Sequence, residues 1–271
     1  MASYKTMGRS FFMRSLIATV FFAFQIYCDF SGYTDIAIGC ARVMGIKLMK
    51  NFNRPYTALT IKDFWARWHI SLSTWFRDYL YIPLGGSRCA RPRHLLNLFI
   101  VFIVSGLWHG ANWTFVVWGA LHGIYQIVGN LTAKPRARLI EKAGKTASSP
   151  IVVWPRRIIT FILVAFAWIF FRANSISDAL HLLKTLFSFT GGGIGATLSS
   201  MGITVTTALL MLTSVTLLFL IDRMLTYDDS EDGSDVLVGH GGFVYFTWIV
   251  LLCWALLLSK DMISTFIYFQ F

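Results

Sequence analysis

Acidic residues are scarce in this sequence, with 13 Asp and Glu against 24 Lys and Arg, and only 14% of all residues are charged. A soluble domain carries about 25% charged residues, so a water-exposed surface over the whole chain is excluded. The cations also form no stripe interleaved with solvent-facing aromatic residues, which argues against nucleic acid as a partner. The shortage of charge therefore points to a chain surrounded by lipid.

Cysteine is also rare. The four that occur, Cys28, Cys40, Cys89 and Cys253, form no CxxC pair, and three of them fall in apolar stretches. The sequence therefore predicts neither a disulfide framework nor a zinc site, and no other metal site is expected.

Apolar residues are abundant, at 56% of 271 residues, and the mean hydropathy is +0.60. One water-soluble core of this size cannot bury so much apolar surface. The composition instead predicts an all-α, polytopic integral membrane protein in which residues 1–271 form a single membrane domain. Basic loops such as residues 134–145 predict cytoplasmic faces that lie next to anionic lipid.

Hydropathy divides the chain into apolar segments. A polar stretch, DFSGYTDIAIG, follows the first segment and predicts a break before a second helix over residues 36–49. Helical spacing of aromatic residues over residues 61–79 predicts one amphipathic helix at the membrane interface, which PLGG ends. Residues 95–128 predict two short spans interrupted at WHGANW, and residues 133–150 predict a loop. Further spans are predicted at residues 11–27, 151–171, 202–221 and 243–258, and a surface helix at 175–189.

His109 lies between two apolar runs, in SGLWHGANW. An ionisable side chain at membrane depth is costly and therefore indicates function. His109 is either a packing residue bonded to a backbone carbonyl or a general base that burial keeps neutral. We expect Trp108 and Trp113 to keep its surroundings dry and Asn112 to offer a polar side chain, so these three residues are candidates for substrate binding.

The second candidate is His69, which lies near the edge of the apolar face of the amphipathic segment and could point inward. Because that segment is interfacial, a haem held between His69 and His109 is disfavoured. His122 is expected to be structural, on a different side of its helix from His109. The remaining histidines are expected to be solvated, and they are His94, His181 and His240.

Two carboxylates, Asp29 and Asp35, allow a different class of protein. They could form an ion or proton path, as in a transporter. The simpler interpretation is that they pair with Arg42 or cap helix ends.

Four blocks of the sequence carry a family resemblance. FQIYCDFSGYTDIAIGCARVMGIKL, NFNRPY, DFWARWHISLSTWFRDYLYIPLGG and SGLWHGANWTFVVWGALHG resemble the membrane-bound O-acyltransferase family, in particular its alginate O-acetylation branch. The core motif region covers about residues 24–130. The resemblance implies a helical bundle in which amphipathic and re-entrant helices surround a funnel through the membrane.

The resemblance also implies a reaction. An acyl group, by default acetyl, would pass from a cytoplasmic thioester donor such as acetyl-CoA toward hydroxyls of an exported polysaccharide, with no bound cofactor. His109 and His69 would be the catalytic residues. The setting implied is multi-pass in the inner or plasma membrane, with a separate periplasmic or surface acetyltransferase as partner.

The family places several spans before the DFSGY region, so the chain is expected to represent the C-terminal part of the family's fold. This departure leaves a second hypothesis, a non-catalytic membrane scaffold for an extracytoplasmic acetyltransferase. An ion- or proton-coupled transporter that uses Asp29 and Asp35 is the third.

Overall fold

The computed structural model describes residues 11–188 and 194–224. Regular structure in this part of the chain is helical, apart from one isolated bridge between Phe52 and Trp68, which confirms the predicted all-α class. In chain order the elements are α1 Phe11–Val43, a 3-10 turn Pro55–Thr57, α2 Ile61–Trp65, α3 Ile70–Phe76, a π-helical turn Arg77–Tyr81, α4 Arg91–His109, α5 Trp113–Lys142, α6 Pro150–Arg172, α7 Ile176–Leu186, α8 Ile194–Ser200 and α9 Val205–Met224.

The chain forms two compact units. The first comprises Met1–Thr34 and Lys50–Gly202, and it contains the whole motif region from NFNRPY onward. The second comprises Asp35–Met49 and Ile203–Phe271. The prediction that residues 1–271 form a single membrane domain stays a prediction.

In the second unit, α9 coincides with the predicted span over residues 202–221. Its first turn is capped by Thr204, whose Oγ1 accepts the Thr207 N–H at 3.1 Å. The predicted span at residues 243–258 lies outside the described residues.

Helix α1 corrects the prediction of a break after residue 27, because it continues through the polar stretch to Val43. The hydroxyls in this stretch bond to the helix's own backbone: Thr34 Oγ1 donates to the Phe30 carbonyl at 2.8 Å. A helix tolerates such side chains when its own carbonyls satisfy them. Asp29 and Asp35 therefore lie inside a helix, and the interpretation that they cap helix ends is wrong.

Two of the described helices are long and apolar enough to cross a membrane, the segment Phe12–Val43 of α1 and the whole of α6. Helix α6 confirms the span predicted over residues 151–171. The predicted surface helix after it is also present as α7. Its N-cap is Ser175, whose Oγ accepts the Asp178 N–H at 3.1 Å and donates to the Asp178 carboxylate at 2.8 Å.

Helices α4 and α5 form an antiparallel hairpin, which confirms the two helices predicted on either side of WHGANW, while their spanning of the membrane stays a prediction. Glycines bring the two backbones into contact, as small residues do between membrane helices. A Cβ atom on Gly106 would collide with the Phe115 carbonyl, and one on Gly119 would collide with the Phe102 carbonyl. The register of the hairpin is therefore set by backbone contact.

Helix α5 is longer than predicted, because the expected loop over residues 133–150 is helical as far as Lys142. Ala, Leu, Glu and Lys are all good helix formers and outweigh the single internal Pro135. Arg136 also bonds back to the helix, since its Nε donates to the Thr132 carbonyl at 3.3 Å and its Nη2 to the Gly129 carbonyl at 3.1 Å. The helix ends before Gly144, which has a φ of 62°.

Candidate active site

The amphipathic segment around His69 is broken, so the prediction of one helix over residues 61–79 is wrong. Helix α2 ends at Trp65 and α3 begins at Ile70, with His69 between them in the left-handed region at φ 46° and ψ 55°. A residue with a Cβ atom is uncommon and strained in this region, and such strain concentrates at functional sites. Helical spacing depends only on residues within the segment, so it cannot predict a break that another segment of the chain causes.

The cause is the NFNRPY segment, which bonds to the break from a distant part of the chain. The Ile70 N–H donates to the Asn51 carbonyl at 3.0 Å, and the Asn53 N–H donates to the Arg67 carbonyl at 2.9 Å. The Asn51 side chain adds two bonds, because its Oδ1 accepts from the Ser71 N–H at 3.1 Å and the Ser71 hydroxyl at 2.6 Å. These bonds hold His69 in its left-handed conformation.

The ring of His69 is half-buried between aromatic side chains. It meets Phe30 edge to face at 4.8 Å between centroids, and Trp108 at 6.5 Å. Ser71 Oγ lies 3.5 Å from Nδ1 of His69, and its own proton is directed to Asn51. If this contact is a hydrogen bond, the serine accepts it from Nδ1–H, and Nε2 is then the unprotonated nitrogen of the ring.

His109 is the last residue of α4 and is also half-buried. Its ring centroid lies 5.0 Å from that of Trp108, 5.1 Å from that of Trp118 and 5.2 Å from that of Phe171. Within residues 11–188 and 194–224 neither ring nitrogen of His109 has a hydrogen-bond partner. The packing interpretation, in which a backbone carbonyl binds this ring, therefore finds no support in the described part of the chain.

Trp108 brings the two predicted histidines together, because its ring contacts both His69 and His109. The indole is 57% exposed, so one of its sides is open. The structure thus places both histidines and Trp108 in one cluster. Their catalytic and substrate-binding roles stay predictions.

The two other predicted binding residues lie at the start of α5. Asn112 is its N-cap: Oδ1 accepts the Thr114 N–H at 3.1 Å, while Nδ2 donates to the Asn174 carbonyl at 2.8 Å. Both ends of this amide are therefore occupied by the protein. Trp113 is 74% exposed and does not enclose His109. Substrate binding by Asn112 and Trp113 stays a prediction. The hydrogen bonds of Asn112 show that it has a structural role as the N-cap of α5.

The aromatic wall around His109 consists instead of Trp118 on α5 and Phe171 on α6, which the sequence analysis did not single out. Trp118 is fully buried and contacts Phe171 at 5.3 Å between centroids. Phe171 was placed only at the end of the span predicted over residues 151–171, with no role assigned to it. Distance along the chain hid the contact, since Phe171 and His109 are brought together only by packing.

His122 lies on the other side of Trp118 and is fully buried. The indole N–H of Trp65 donates to its Nδ1 with 3.1 Å between the nitrogens. The Nε2 atom is buried and has no hydrogen-bond partner in the described chain. This environment agrees with the structural role predicted for His122.

Trp65 also lines a cavity of about 200 Å³ between the α2–α3 region and α4. Most of the lining is apolar, with Ser73, Ser105, Arg77 and Tyr81 as the polar exceptions. Arg77 binds the Asp78 carboxylate at 2.7 and 3.1 Å, and this hydrogen bonding lowers the pKa of Asp78. The guanidinium is therefore already paired beside the cavity.

His94 corrects another expectation, because it lies in the first turn of α4 and not in a solvated loop. Its Nδ1 shares a hydrogen bond with the Tyr81 hydroxyl at 2.9 Å, and Asn130 Nδ2 lies 3.4 Å from its Nε2. His181 is exposed on α7 as predicted, and His240 lies outside the described residues.

No group of three metal-binding side chains lies together in the described portion of the chain. The expectation of a site without metal stays a prediction.

The family model that matches this chain describes the membrane-bound O-acyltransferase family and covers residues 1–173. The chain belongs to this family. It is therefore a membrane protein, as the composition predicted, and the family resemblance of its four sequence blocks is confirmed.

This chain matches several curated relatives over part of their length. The chain is 46% identical to a probable alginate O-acetylase of Pseudomonas aeruginosa over 61% of this chain and 30% of the relative. It is 43% identical to a peptidoglycan O-acetyltransferase of Helicobacter pylori over 66% and 33%. A probable alginate O-acetylase of Pseudomonas putida is 36% identical over 91% of this chain and 51% of the relative. The chain thus spans between 30% and 51% of the length of these relatives.

Proposed function

We propose that this protein is an O-acyltransferase that moves an acyl group, by default acetyl, from a cytoplasmic thioester donor toward hydroxyls of an exported or cell-surface polysaccharide. The observation that carries the proposal is His109, half-buried among aromatic rings with both ring nitrogens unbonded in the described chain, next to a second histidine across Trp108. Family membership and the names of the relatives support the reaction class.

The chemistry requires a base at the acceptor hydroxyl. His109 accepts that proton as the acceptor oxygen attacks the thioester carbonyl, and the imidazolium then returns a proton to the departing thiolate. The aromatic wall of Trp118 and Phe171 favours this role, because an apolar surrounding keeps the resting imidazole neutral. Excluding bulk water also protects the thioester from hydrolysis.

His69, which also contacts the Trp108 ring, assists. In the tautomer that carries its proton on Nδ1, beside Ser71, the Nε2 atom is an acceptor that can orient a substrate hydroxyl. The strained backbone at His69 supports such a role, since the protein maintains it with bonds from Asn51 and Asn53.

The proposed setting is the plasma or inner membrane, which the chain crosses several times. Acetyl-CoA or another acyl thioester enters as a substrate, so the protein needs no bound cofactor. Its partners are membrane lipid, the acyl donor, the polysaccharide acceptor and a periplasmic or surface acetyltransferase that completes the transfer. Nucleic acid is not among them.

The test measures O-acetyl groups on the cell-surface polysaccharide of a deletion strain that expresses this chain, His109→Ala or His181→Ala. The control histidine is exposed on α7. All three proteins are compared at equal membrane abundance. We expect acetylation with the unchanged chain and with His181→Ala, and none with His109→Ala.

Other outcomes reject the proposal in distinct ways. Equal acetylation with the unchanged chain and His109→Ala would identify a scaffold whose partner performs the chemistry. Loss of function only in Asp29→Asn, with His109→Ala active, would identify a transporter. A donor-dependent assay on purified protein then separates a membrane enzyme from both alternatives.

A further inference from the structure

One end of the α4–α5 hairpin is strongly basic. This end begins where His94 on α4 contacts Asn130 on α5. Beyond it, the α4 side carries three arginines and the α5 side five cations. These residues, which we name the basic end, are Arg88, Arg91, Arg93, Lys134, Arg136, Arg138, Lys142 and Lys145.

The extension of α5 as a helix gives this charge an ordered arrangement. Lys134, Arg138 and Lys142 are four residues apart, so they share one face of the helix. All three side chains are exposed. A loop, as the sequence predicted for this segment, would not align them.

The same helix presents exposed apolar side chains just before and beside the cationic row. Ile124, Val128 and Leu131 are exposed along α5, and Leu139 is exposed within the extension. A helix whose exposed face changes from apolar to basic matches the change from acyl chains to headgroups at a bilayer surface.

Nearby acidic residues are scarce, since Glu141 is the only one between positions 124 and 145. Within residues 11–188 and 194–224, neither of the ion pairs Arg67–Asp63 and Arg77–Asp78 involves the basic end. In this part of the chain the exposed cations are therefore available to bind anionic groups.

We propose that the basic end is a binding surface for anionic phospholipid headgroups, with Lys134, Arg138 and Lys142 as its central row. A lipid satisfies both halves of the surface, because its acyl chains cover Val128 and Leu131 while its phosphate meets the cations. An acidic protein would match only the charge. Each cation near an anionic bilayer surface raises the association constant about fivefold.

The test uses the full chain in phosphatidylcholine vesicles, with native cysteines replaced by serine and a fluorophore attached through Ala137→Cys on the exposed extension. Spin-labelled phosphatidylglycerol or spin-labelled phosphatidylcholine quenches the fluorophore at equal mole fractions. The ratio of the two quenching constants reports the lipid preference at this position. We expect at least a tenfold preference for phosphatidylglycerol, which falls as salt rises to 0.5 M.

Two matched triple variants identify the cause of the preference. Lys134→Gln, Arg138→Gln and Lys142→Gln together should reduce it to within about twofold of unity. The charge-preserving triple Lys134→Arg, Arg138→Lys and Lys142→Arg should retain it. Glu141→Gln should increase it, and this variant tests the sign of the effect without removing any cation.

A quenching ratio near one in the unchanged chain would overturn the proposal. So would a preference that survives the glutamine triple, because it would then arise elsewhere on the protein. If that triple instead abolishes binding of an acidic protein while the lipid ratio stays near one, the surface belongs to a protein partner. None of these measurements depends on acyl transfer.

Discussion

His109 and His122 make the same kind of contact with the same residue, yet their environments differ in kind. Each ring packs edge to face on Trp118, with 5.1 Å between centroids in both cases. His109 is half-buried and its nitrogens are unbonded in the described chain, whereas His122 is fully buried and its Nδ1 accepts from Trp65. Aromatic contact alone therefore does not distinguish an accessible, unbonded histidine from a packing one. Access and hydrogen bonding do.

The sharpest test of this difference exchanges the ring at each position. His109→Gln should lower acyl transfer by about 10²- to 10⁴-fold, the usual contribution of a general base. The melting midpoint of the purified protein should fall by less than in His122→Ala, because the half-buried ring of His109 loses aromatic contacts but no hydrogen bond seen in the described chain. Transfer from radiolabelled donor and thermal unfolding in detergent measure the two quantities. A large drop in the midpoint would make His109 a packing residue.

The next largest effect is expected at Gly119, where backbone contact positions Trp118 between the two histidines. Gly119→Ala places a methyl group against the Phe102 carbonyl and should destabilise the protein by about 3 kcal/mol. Gly129→Ala is the matched control on the same helix, since no atom lies within 4 Å of the added carbon. That control should leave the unfolding free energy unchanged or raise it by up to about 1 kcal/mol. Equal effects would contradict the close packing of the hairpin.

His122→Ala should lower the stability of the protein and largely retain acyl transfer, which is the opposite of the result expected for His109→Gln. Removing the buried ring leaves a cavity and deprives the Trp65 N–H of its acceptor, which should cost about 2 kcal/mol of unfolding free energy. His122→Asn keeps an oxygen near the position of Nδ1 and should recover part of this loss. Transfer per folded molecule should change far less than in His109→Gln. A stable but inactive His122→Ala would instead assign His122 to the chemistry.

The smallest effect concerns the hydrogen bond itself. Trp65→Phe removes the indole donor and should cost about 1 kcal/mol, much of it from the unsatisfied Nδ1 of His122. Combining it with His122→Phe should cost less than the sum of the two single variants, because both partners of the bond are then absent. Strict additivity in this cycle would show that the bond contributes nothing to stability.

Local signals predicted much of the fold. The apolar run over residues 151–171 predicted α6, the segment over residues 175–189 predicted α7, and WHGANW separated α4 from α5. The site histidines were found because a charged or polar ring is conspicuous in an apolar run. Each of these features depends on residues within one or two helical turns of one another.

Other features required contacts between distant segments. Helical spacing predicted an unbroken helix through His69, but Asn51 and Asn53 divert the backbone there. Polar residues predicted a break in α1, but the Thr34 hydroxyl donates to the Phe30 carbonyl of the same helix. Positive charge predicted a loop after residue 133, but helix-forming side chains continue α5 to Lys142.

The amino-acid pattern alone was sufficient for the membrane environment, the helical class and the choice of His109 and His69 as candidates, because hydropathy and the cost of a polar group in lipid are properties of short segments. Tertiary packing decided which histidine is accessible. Trp118 and Phe171 surround His109, and Trp65 satisfies His122, through contacts between residues far apart in the chain. Such contacts depend on how close two backbones approach, and in the hairpin that distance is set by Gly106 and Gly119.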